Sequence, residues 1–567
     1  MCGIWGHFYF GEIPPQKCST PSKEFEKLAH RGPDSKKWCC DLSNDFELGF
    51  YRLSIQDVSP FGYQPFVDEL PEHAGWDAWV CNGEIYNHQE LRKKVIQEQN
   101  YQFVGKSDCE VIGPWFRMER TLDGFDGVYA GIYLQVDADR KLKNLILFRD
   151  PIGVRPLFWG YQPETKEFWV ASEAKAIPLP NELIYQFPPG STWRYVNESN
   201  NHEHSEHYVG KFPPFGYGTY WADPIQNFPK TLRAVSQENT QKQFAKLLRN
   251  AVSKRLLSDR PIACLLSGGL DSSLIAALAQ EEGIKKFGEN FRLPTFSIGF
   301  EDAPDLLAAR VVAKHIGSDH HEIIITPEQA LSKIPEVIKC LETWDPTTIR
   351  ASTGMYLASE YIHQNTPYIV VLSGEGADEV FQGYLYFHRA PDIYEGYKDS
   401  CRLVHELAYY DVLRADRTTA AHSLELRVPF LDKELVRFAL HLPYEWLSPQ
   451  QRIEKYFVRK AFDGTGLLPD EILWRTKEAF SDGISVPKRS WFHILGEKAR
   501  VEMEGQLKTV SETATRDERA RMTVEAQWFR KIFEENYPGG SHWIPHVWLP
   551  QWSETVDPSA RTLESRG

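Results

Sequence analysis

The chain lacks what a nucleic-acid scaffold, a membrane protein or a disulfide-built secreted domain would need. Basic residues are in deficit: 64 Lys and Arg against 78 Asp and Glu leave a formal charge of −14, whereas gripping a phosphate backbone requires a basic face. No uninterrupted apolar run reaches the roughly 18 residues of a membrane span. The first twenty residues carry no basic stretch followed by an apolar core, so no secretory leader is expected. Cysteine is sparse and irregular, nine in 567 residues with no C-x-x-C pair, which points to reduced thiols in the cytosol. The adjacent Cys39 and Cys40 suit neither a routine disulfide nor a zinc knuckle. What is present is ordinary globular material, 42% apolar, 25% charged and 13% aromatic, long enough for two or more domains with their own cores. A small-molecule substrate fits this balance better than a nucleic acid or a membrane.

The two halves are written differently. Up to about residue 196 the chain reads as short strands, "AWVCNGEIYNH", "GVYAGIYLQV", "NLILFRD" and "EFWVASEAKAI", with aromatic and β-branched residues between Gly, Asn, Asp and Pro. Residues 197 to 230 turn polar and then rich in Pro, Gly and Tyr, which marks a domain boundary. His202, His204 and His207 in that stretch read as part of a solvated linker, with metal binding as the alternative. Beyond it strand and helix alternate: "PIACLLS" then "SSLIAALAQEEG", whose helix is expected to stop at Gly283, "PTFSIGF" then "DLLAARVVAKHIG", and the strands "HHEIIIT" and "YIVVLSGEG". Such alternation predicts a parallel sheet covered by helices, with ligands at the carboxyl ends of its strands.

Two of those strand ends carry the sharpest signals. Ser267-Gly268-Gly269-Leu270-Asp271-Ser272-Ser273 joins a strand to a helix. Its glycines let backbone N–H groups curl around an anion at a helix N-terminus, and it lacks the Lys-Ser/Thr pair of a Walker A loop. An N-capped turn is the alternative. The second, "VVLSGEGADEVFQGY", puts Glu375, Asp378 and Glu379 just past a strand end. Carboxylates beside a phosphate site suggest Mg²⁺, and an acidic first helical turn is the alternative. Arg350 in "TTIRAST" and Lys477 in "WRTKEAFSDG" are candidate basic partners or plain surface charges. In the first half, Arg52, Glu84 and Asp108 could hold the carboxylate and ammonium of an amino acid, with surface hairpin chemistry as the alternative for each stretch. Finally, Cys2 stands directly behind Met1. Removal of Met1 would leave one residue bearing both a thiol and a free α-amine, a nucleophile with its own base.

Taken together, MCGIW, RGPDS, NGEIYNH, RDPIGVRPLF, LLSGGLDSS, SGEGADE, DVLRADRTTAAH, LELRVPFLD, WRTKEAFSDG and DPSARTL resemble, in this order and over nearly the whole chain, the glutamine-hydrolysing asparagine synthetases of eukaryotic type. The resemblance implies an N-terminal nucleophile glutaminase domain (an αββα sandwich, residues 1–205) and an α/β ATP-pyrophosphatase domain with a parallel sheet (residues 206–567). It implies Cys2 as nucleophile, Arg52 on the glutamine carboxylate, Asn82 and Gly83 on the oxyanion, and Glu84 with Asp108 on the glutamine amine. Leu265, Ile298, Ser373 and Gly374 would line the ATP site, Ser267, Gly268, Gly269, Asp271, Ser272 and Ser273 would bind pyrophosphate, and Asp271 with Asp378 would hold Mg²⁺. Glu375, Arg350 and Lys477 would serve the aspartyl-AMP and ammonia steps. The implied substrates are aspartate, ATP and glutamine or ammonia, the implied state a cytosolic homodimer with an ammonia tunnel, and no nucleic acid or membrane partner is expected. Phe148 stands where many relatives have a small residue and Ala377 replaces a Ser seen in some, which predicts local repacking at most. A related amidotransferase or cyclase acting on another carboxylate, and a nonenzymatic nucleotide-binding protein, are the competing readings. The full-length match and the intact Cys2 weigh against the first, and the joint presence of Cys2, Asp271, Glu375 and Lys477 against the second.

Overall fold

The computed structural model describes residues 1–10, 22–40, 46–70, 74–119, 121–122, 124–196, 236–476, 485, 490–511 and 513–553. The chain divides into two compact units, Met1–Ala222 and Asp223–Gly567. The expected boundary at 205/206 and the three linker histidines lie outside the described residues, as does DPSARTL.

The first unit is built from β1 (Gly3–Tyr9), β2 (Ser35–Cys40), β3 (Phe46–Arg52), β4 (Phe66–Glu69), β5 (Trp76–Ile85), β6 (Gly127–Val136), β7 (Leu142–Arg149), β8 (Phe158–Gln162), β9 (Glu167–Ala171), β10 (Ile184–Gln186) and β11 (Thr192–Val196). They form two antiparallel sheets, ordered β10-β8-β9-β1-β3-β2 and β11-β7-β6-β5-β4. Side chains alternate across each strand, so Ile4, Phe8, Leu48 and Phe50 of one sheet meet Ala78, Val80, Ile132 and Leu134 of the other in a shared core. The opposite face of β5, with Trp79 and Cys81, packs under Trp115 and Phe116 of the helix Ile112–Met118. On the outer face of the other sheet the Phe25 ring from the helix Lys23–Glu26 lies 5.7 Å from Trp5 and 4.6 Å from Tyr51. Helical segments thus cover both outer faces, the expected αββα arrangement. Phe148 is fully buried and presses its ring on Gly131, where a Cβ would come within 2.2 Å.

The second unit centres on a parallel sheet of β12 (Ile262–Leu265), β13 (Pro294–Gly299), β14 (Asp319–Ile324), β15 (Val370–Leu372) and β16 (Glu425–Arg427), ordered β14-β13-β12-β15-β16. The chain runs outward from β12 through β13 to β14, then crosses back by the helix Pro346–Asn365 to start β15 on the other side of β12. That reversal is the switch point where open α/β sheets form their ligand crevice. The helix expected to stop at Gly283 instead continues from Leu270 to Phe287 and ends at Gly288, whose φ is 99°. Gly283 is a packing glycine: a Cβ there would meet the Phe291 ring at 2.2 Å.

Candidate functional site

In the first unit Cys2 immediately precedes β1. Leu53 N donates to its Sγ at 3.4 Å, and Sγ lies 3.6 Å from Leu53 O. Met1 is buried, its sulfur against Arg155 Nη1. Because Ala78 and Val80 face the sheet that carries Cys2, the period of two sets Asn82 and Glu84 on that same face. Both are buried. The Asn82 side-chain nitrogen and oxygen have no hydrogen-bond partner; an orphaned buried amide of this kind costs about 1–3 kcal/mol and calls for a group that completes it. Gly83 holds φ 152°, and a Cβ there would fall 2.1 Å from Val128 O, so only glycine lets β5 lie this close to β6 with its backbone so turned.

The remaining candidates are tied to neighbouring loops. Glu84 accepts from Gln56 Nε2, and Asp108 Oδ2 accepts from Ile85 N at 2.6 Å. Arg52, at the end of β3, donates to Ser59 O at 2.9 Å and to Asp57 O, and its guanidinium stacks 4.8 Å from the Tyr63 ring. Burial lowers its pKa, opposed by the negative charge that Cys2 and Asp57 can carry.

In the second unit a cavity of about 230 Å³ opens at the carboxyl ends of β12, β13 and β15. Of the residues expected there, Leu265, Ser267, Gly269, Asp271, Ser272, Ile298, Arg350, Ser373, Gly374, Glu375 and Asp378 line it. Gly268 and Ser273 do not. Gly268 shapes the turn behind the wall, and Ser273 is buried in the helix Leu270–Phe287. Thr476 lines the wall, while Lys477 lies outside the described residues. The two loops touch: a Cβ on Gly374 would stand 2.7 Å from Ser272 N. Within the first loop Ser267 and Ser272 hydroxyls meet at 3.0 Å, and Arg475 donates to Gly268 O at 3.2 Å.

The charges in this cavity are organised in pairs. Lys455 Nζ lies 2.5 Å from Asp271 Oδ2 and 2.6 Å from Asp378 Oδ1, and Asp271 Oδ1 is buried without a hydrogen-bond partner. Arg414 holds Glu375 through two bonds of 2.7 and 3.1 Å and reaches Asp411 at 2.9 Å. Burial pushes the Glu375 carboxyl up from its ordinary range, and Arg414 opposes the push. Glu379 is raised well up by burial and by the neighbouring Asp411 and Asp378. Arg350 is engaged by Glu525, with Nε 2.7 Å from Oε1 and a second contact from Nη2, and stacks 4.6 Å from the Phe492 ring. A strap formed by 546–550 closes one side: Trp548 N donates to Asp345 Oδ1 at 2.8 Å, Tyr410 OH donates to His546 O at 2.8 Å, and Trp548 and Pro550 line the cavity.

Residues 1–221 match the glutamine amidotransferase domain family, and residues 243–403 and 397–556 match the asparagine synthase family. Over 587 residues the chain is 41% identical to the glutamine-hydrolysing asparagine synthetase of Homo sapiens, covering 99% of this chain and 98% of that protein. It is 42% identical to that of Gallus gallus (100% and 99%) and 41% to that of Pongo abelii (99% and 98%). The chain belongs to the glutamine-hydrolysing asparagine synthetase family. For this asparagine synthetase family member, sequence reasoning missed Lys455 and Arg414, which line the cavity, and Glu525, which holds the lining Arg350. Arg414 stands inside DVLRADRTTAAH, a motif that carried no assigned role; Lys455 lies just ahead of the helix Tyr456–Phe462, outside the motifs singled out in the sequence.

Proposed function

We propose that this chain makes asparagine from aspartate, ATP and the amide nitrogen of glutamine. In the first unit, loss of Met1 would free the α-amine of Cys2, whose ordinary pKa near 7.7–8.0 suits it to take the proton of a thiol near 8.5. The thiolate adds to the glutamine amide carbon, ammonia leaves, and water hydrolyses the resulting thioester to glutamate. Asn82 and the Gly83 N–H hold the oxyanion, a donor worth roughly 3 kcal/mol in such sites. The unpaired Asn82 amide supports this role. Arg52 holds the substrate carboxylate, and Glu84 and Asp108 its ammonium.

In the second unit the β-carboxylate of aspartate attacks the α-phosphorus of ATP, giving β-aspartyl-AMP and pyrophosphate. Ammonia then displaces AMP. Backbone N–H groups of the Ser267–Ser272 loop cradle pyrophosphate, with Ser373, Gly374, Leu265 and Ile298 around the nucleotide. Asp271 and Asp378 fit a divalent cation, because Asp271 Oδ1 is an orphaned buried acceptor and an ammonium already sits between the pair. Bound there, Mg²⁺ would neutralise charge on the departing pyrophosphate. Glu375 and Arg350, with Lys477, orient the acyl-adenylate and the attacking amine. The reading extends to a cytosolic homodimer, supported by the family resemblance alone; among the described residues no helix is long and apolar enough to cross a membrane.

The observation that carries the reading is the meeting of the β12 and β15 loops on one cavity at the switch point, in a chain that also carries Cys2 ahead of a buried, unpaired Asn82. The test is asparagine production from glutamine and from ammonium salt, side by side. Cys2→Ala should abolish the first and spare the second, and an uncleaved N-terminal tag should produce the same split with its thiol intact. Equal loss of both activities in Cys2→Ala would remove the nucleophile assignment, and full glutaminase activity in the tagged form would remove the α-amine base.

A further inference from the structure

Lys455 stands where a cation is needed, and the fold takes trouble to put it there. The residue is 2% exposed and holds a left-handed backbone, φ 55°, at the head of the helix Tyr456–Phe462. A non-glycine residue keeps that conformation only where its surroundings hold it. Gly383 makes the space: a Cβ at that position would fall 2.0 Å from Asp378 Oδ1 and 2.2 Å from Lys455 Cε. The nearby Arg459 is committed elsewhere, donating to Glu454 O at 2.8 Å and Leu473 O at 2.5 Å. The ammonium of Lys455, on a flexible stem, is therefore the charge that can move. It is a compact point charge of the kind that follows phosphate oxygens.

We propose that Lys455 is the resident counter-ion of the Asp271–Asp378 pair and competes with the divalent cation for it, so that this lysine sets how much Mg²⁺ the site demands. The proposal rests on the reading of Asp271 and Asp378 as the cation site. In the structure the ammonium spans both carboxylates. When the cation enters, the ammonium gives up at least one of them and turns its charge toward the phosphate oxygens that arrive with the metal. Asp271 Oδ1, buried without a hydrogen-bond partner, is the acceptor that Lys455 leaves open to the cation.

The test uses Mn²⁺ alone as the probe, counted by electron paramagnetic resonance on the full chain, for wild type, Lys455→Met, Lys455→Arg and Asp271→Asn. Lys455→Met removes the competitor at similar length and should bind Mn²⁺ about tenfold tighter or more, a factor that corresponds to about 1.4 kcal/mol. Lys455→Arg, whose fork can bond both carboxylates at once, should bind more weakly than wild type. Without metal, Lys455→Met should melt below wild type and should regain more of its melting temperature on adding Mn²⁺. Equal or weaker Mn²⁺ binding by Lys455→Met overturns the proposal. If that variant does not fold, equal or tighter binding by Lys455→Arg overturns it instead, and weaker binding upholds it. Equal affinity in wild type and Asp271→Asn would overturn the cation-site reading itself, a different failure.

Discussion

Gly268 and Gly269 are adjacent and look interchangeable in the sequence, yet the structure predicts opposite outcomes when each is changed to alanine. Gly268 holds φ 74°, and a Cβ on it would lie 2.5 Å from Ala308 Cβ, 2.5 Å from Ala309 N and 2.6 Å from Ala308 C. The left-handed backbone costs an L-residue about 1–2 kcal/mol, and pressing a methyl group against backbone atoms of the helix Pro304–Ile316 costs about 1–3 kcal/mol more. The sum, roughly 2–5 kcal/mol, is large enough that the loop will shift and pull Ser267 away from Ser272. Gly269 holds φ −72° at the N-cap, and the nearest atom to its Cβ would be Ser267 Oγ at an ordinary 3.4 Å. There the loss of a good N-cap residue is offset by the entropy that alanine removes from the unfolded chain, roughly 0.4–1 kcal/mol. Gly268→Ala should therefore lower the melting transition of the second unit by several degrees and weaken ATP binding by tenfold or more, while Gly269→Ala melts close to wild type. Glutamine hydrolysis should persist in both. Scanning fluorimetry and calorimetric ATP titration of the two variants decide the matter: a Gly268→Ala protein that melts and binds ATP like wild type would refute the steric account.

Glu375→Ala should suppress asparagine synthesis from glutamine and from ammonium alike while leaving glutamine hydrolysis largely intact; full ammonia-dependent synthesis would remove Glu375 from the catalytic residues. Asp345 titrates in the other direction from most stabilising carboxylates. Burial pushes its pKa up to about 6 against hydrogen bonds from Thr348 and Trp548, so its contribution is fully present below about pH 4 and lost as the pH rises through about 6. The stability of wild type relative to Asp345→Asn should accordingly fall by a few kcal/mol between pH 4 and 7, read from melting curves across that range, and a difference that stays flat or grows with pH would contradict the assignment.

The elements that could be read from the sequence are those whose signal is local. Strands β5, β6, β7 and β9 carry aromatic and β-branched runs cut by turn formers, and β12 to β15 alternate with helical spacing. The two glycine loops lie at strand ends, where ligands to parallel sheets bind. Three residues of β16 gave no period to detect. Gly283 read as a stop because a glycine's packing role depends on a ring, Phe291, that only the folded chain brings against it. The charge pairs were hidden for the same reason. Lys455 meets Asp271, and Arg350 meets Glu525, across long stretches of sequence, and no spacing rule links such partners. Asn82 could be named through the resemblance, but that its amide is left unpaired is visible only in three dimensions.

The strap of residues 546–550 has a practical consequence. It carries none of the residues named for chemistry, yet Trp548 is tied to Asp345 and Pro550 walls the cavity at the strand ends. A proteolytic nick or a trimmed variant that frees this segment would unroof the chamber while every signature loop stayed intact. Such a protein would continue to release ammonia from glutamine and would waste it, turning a synthetase into a plain amidase. Limited digestion near this segment, or a bulky fusion placed on it, is therefore a route to uncoupling the two half-reactions without touching either one's chemistry.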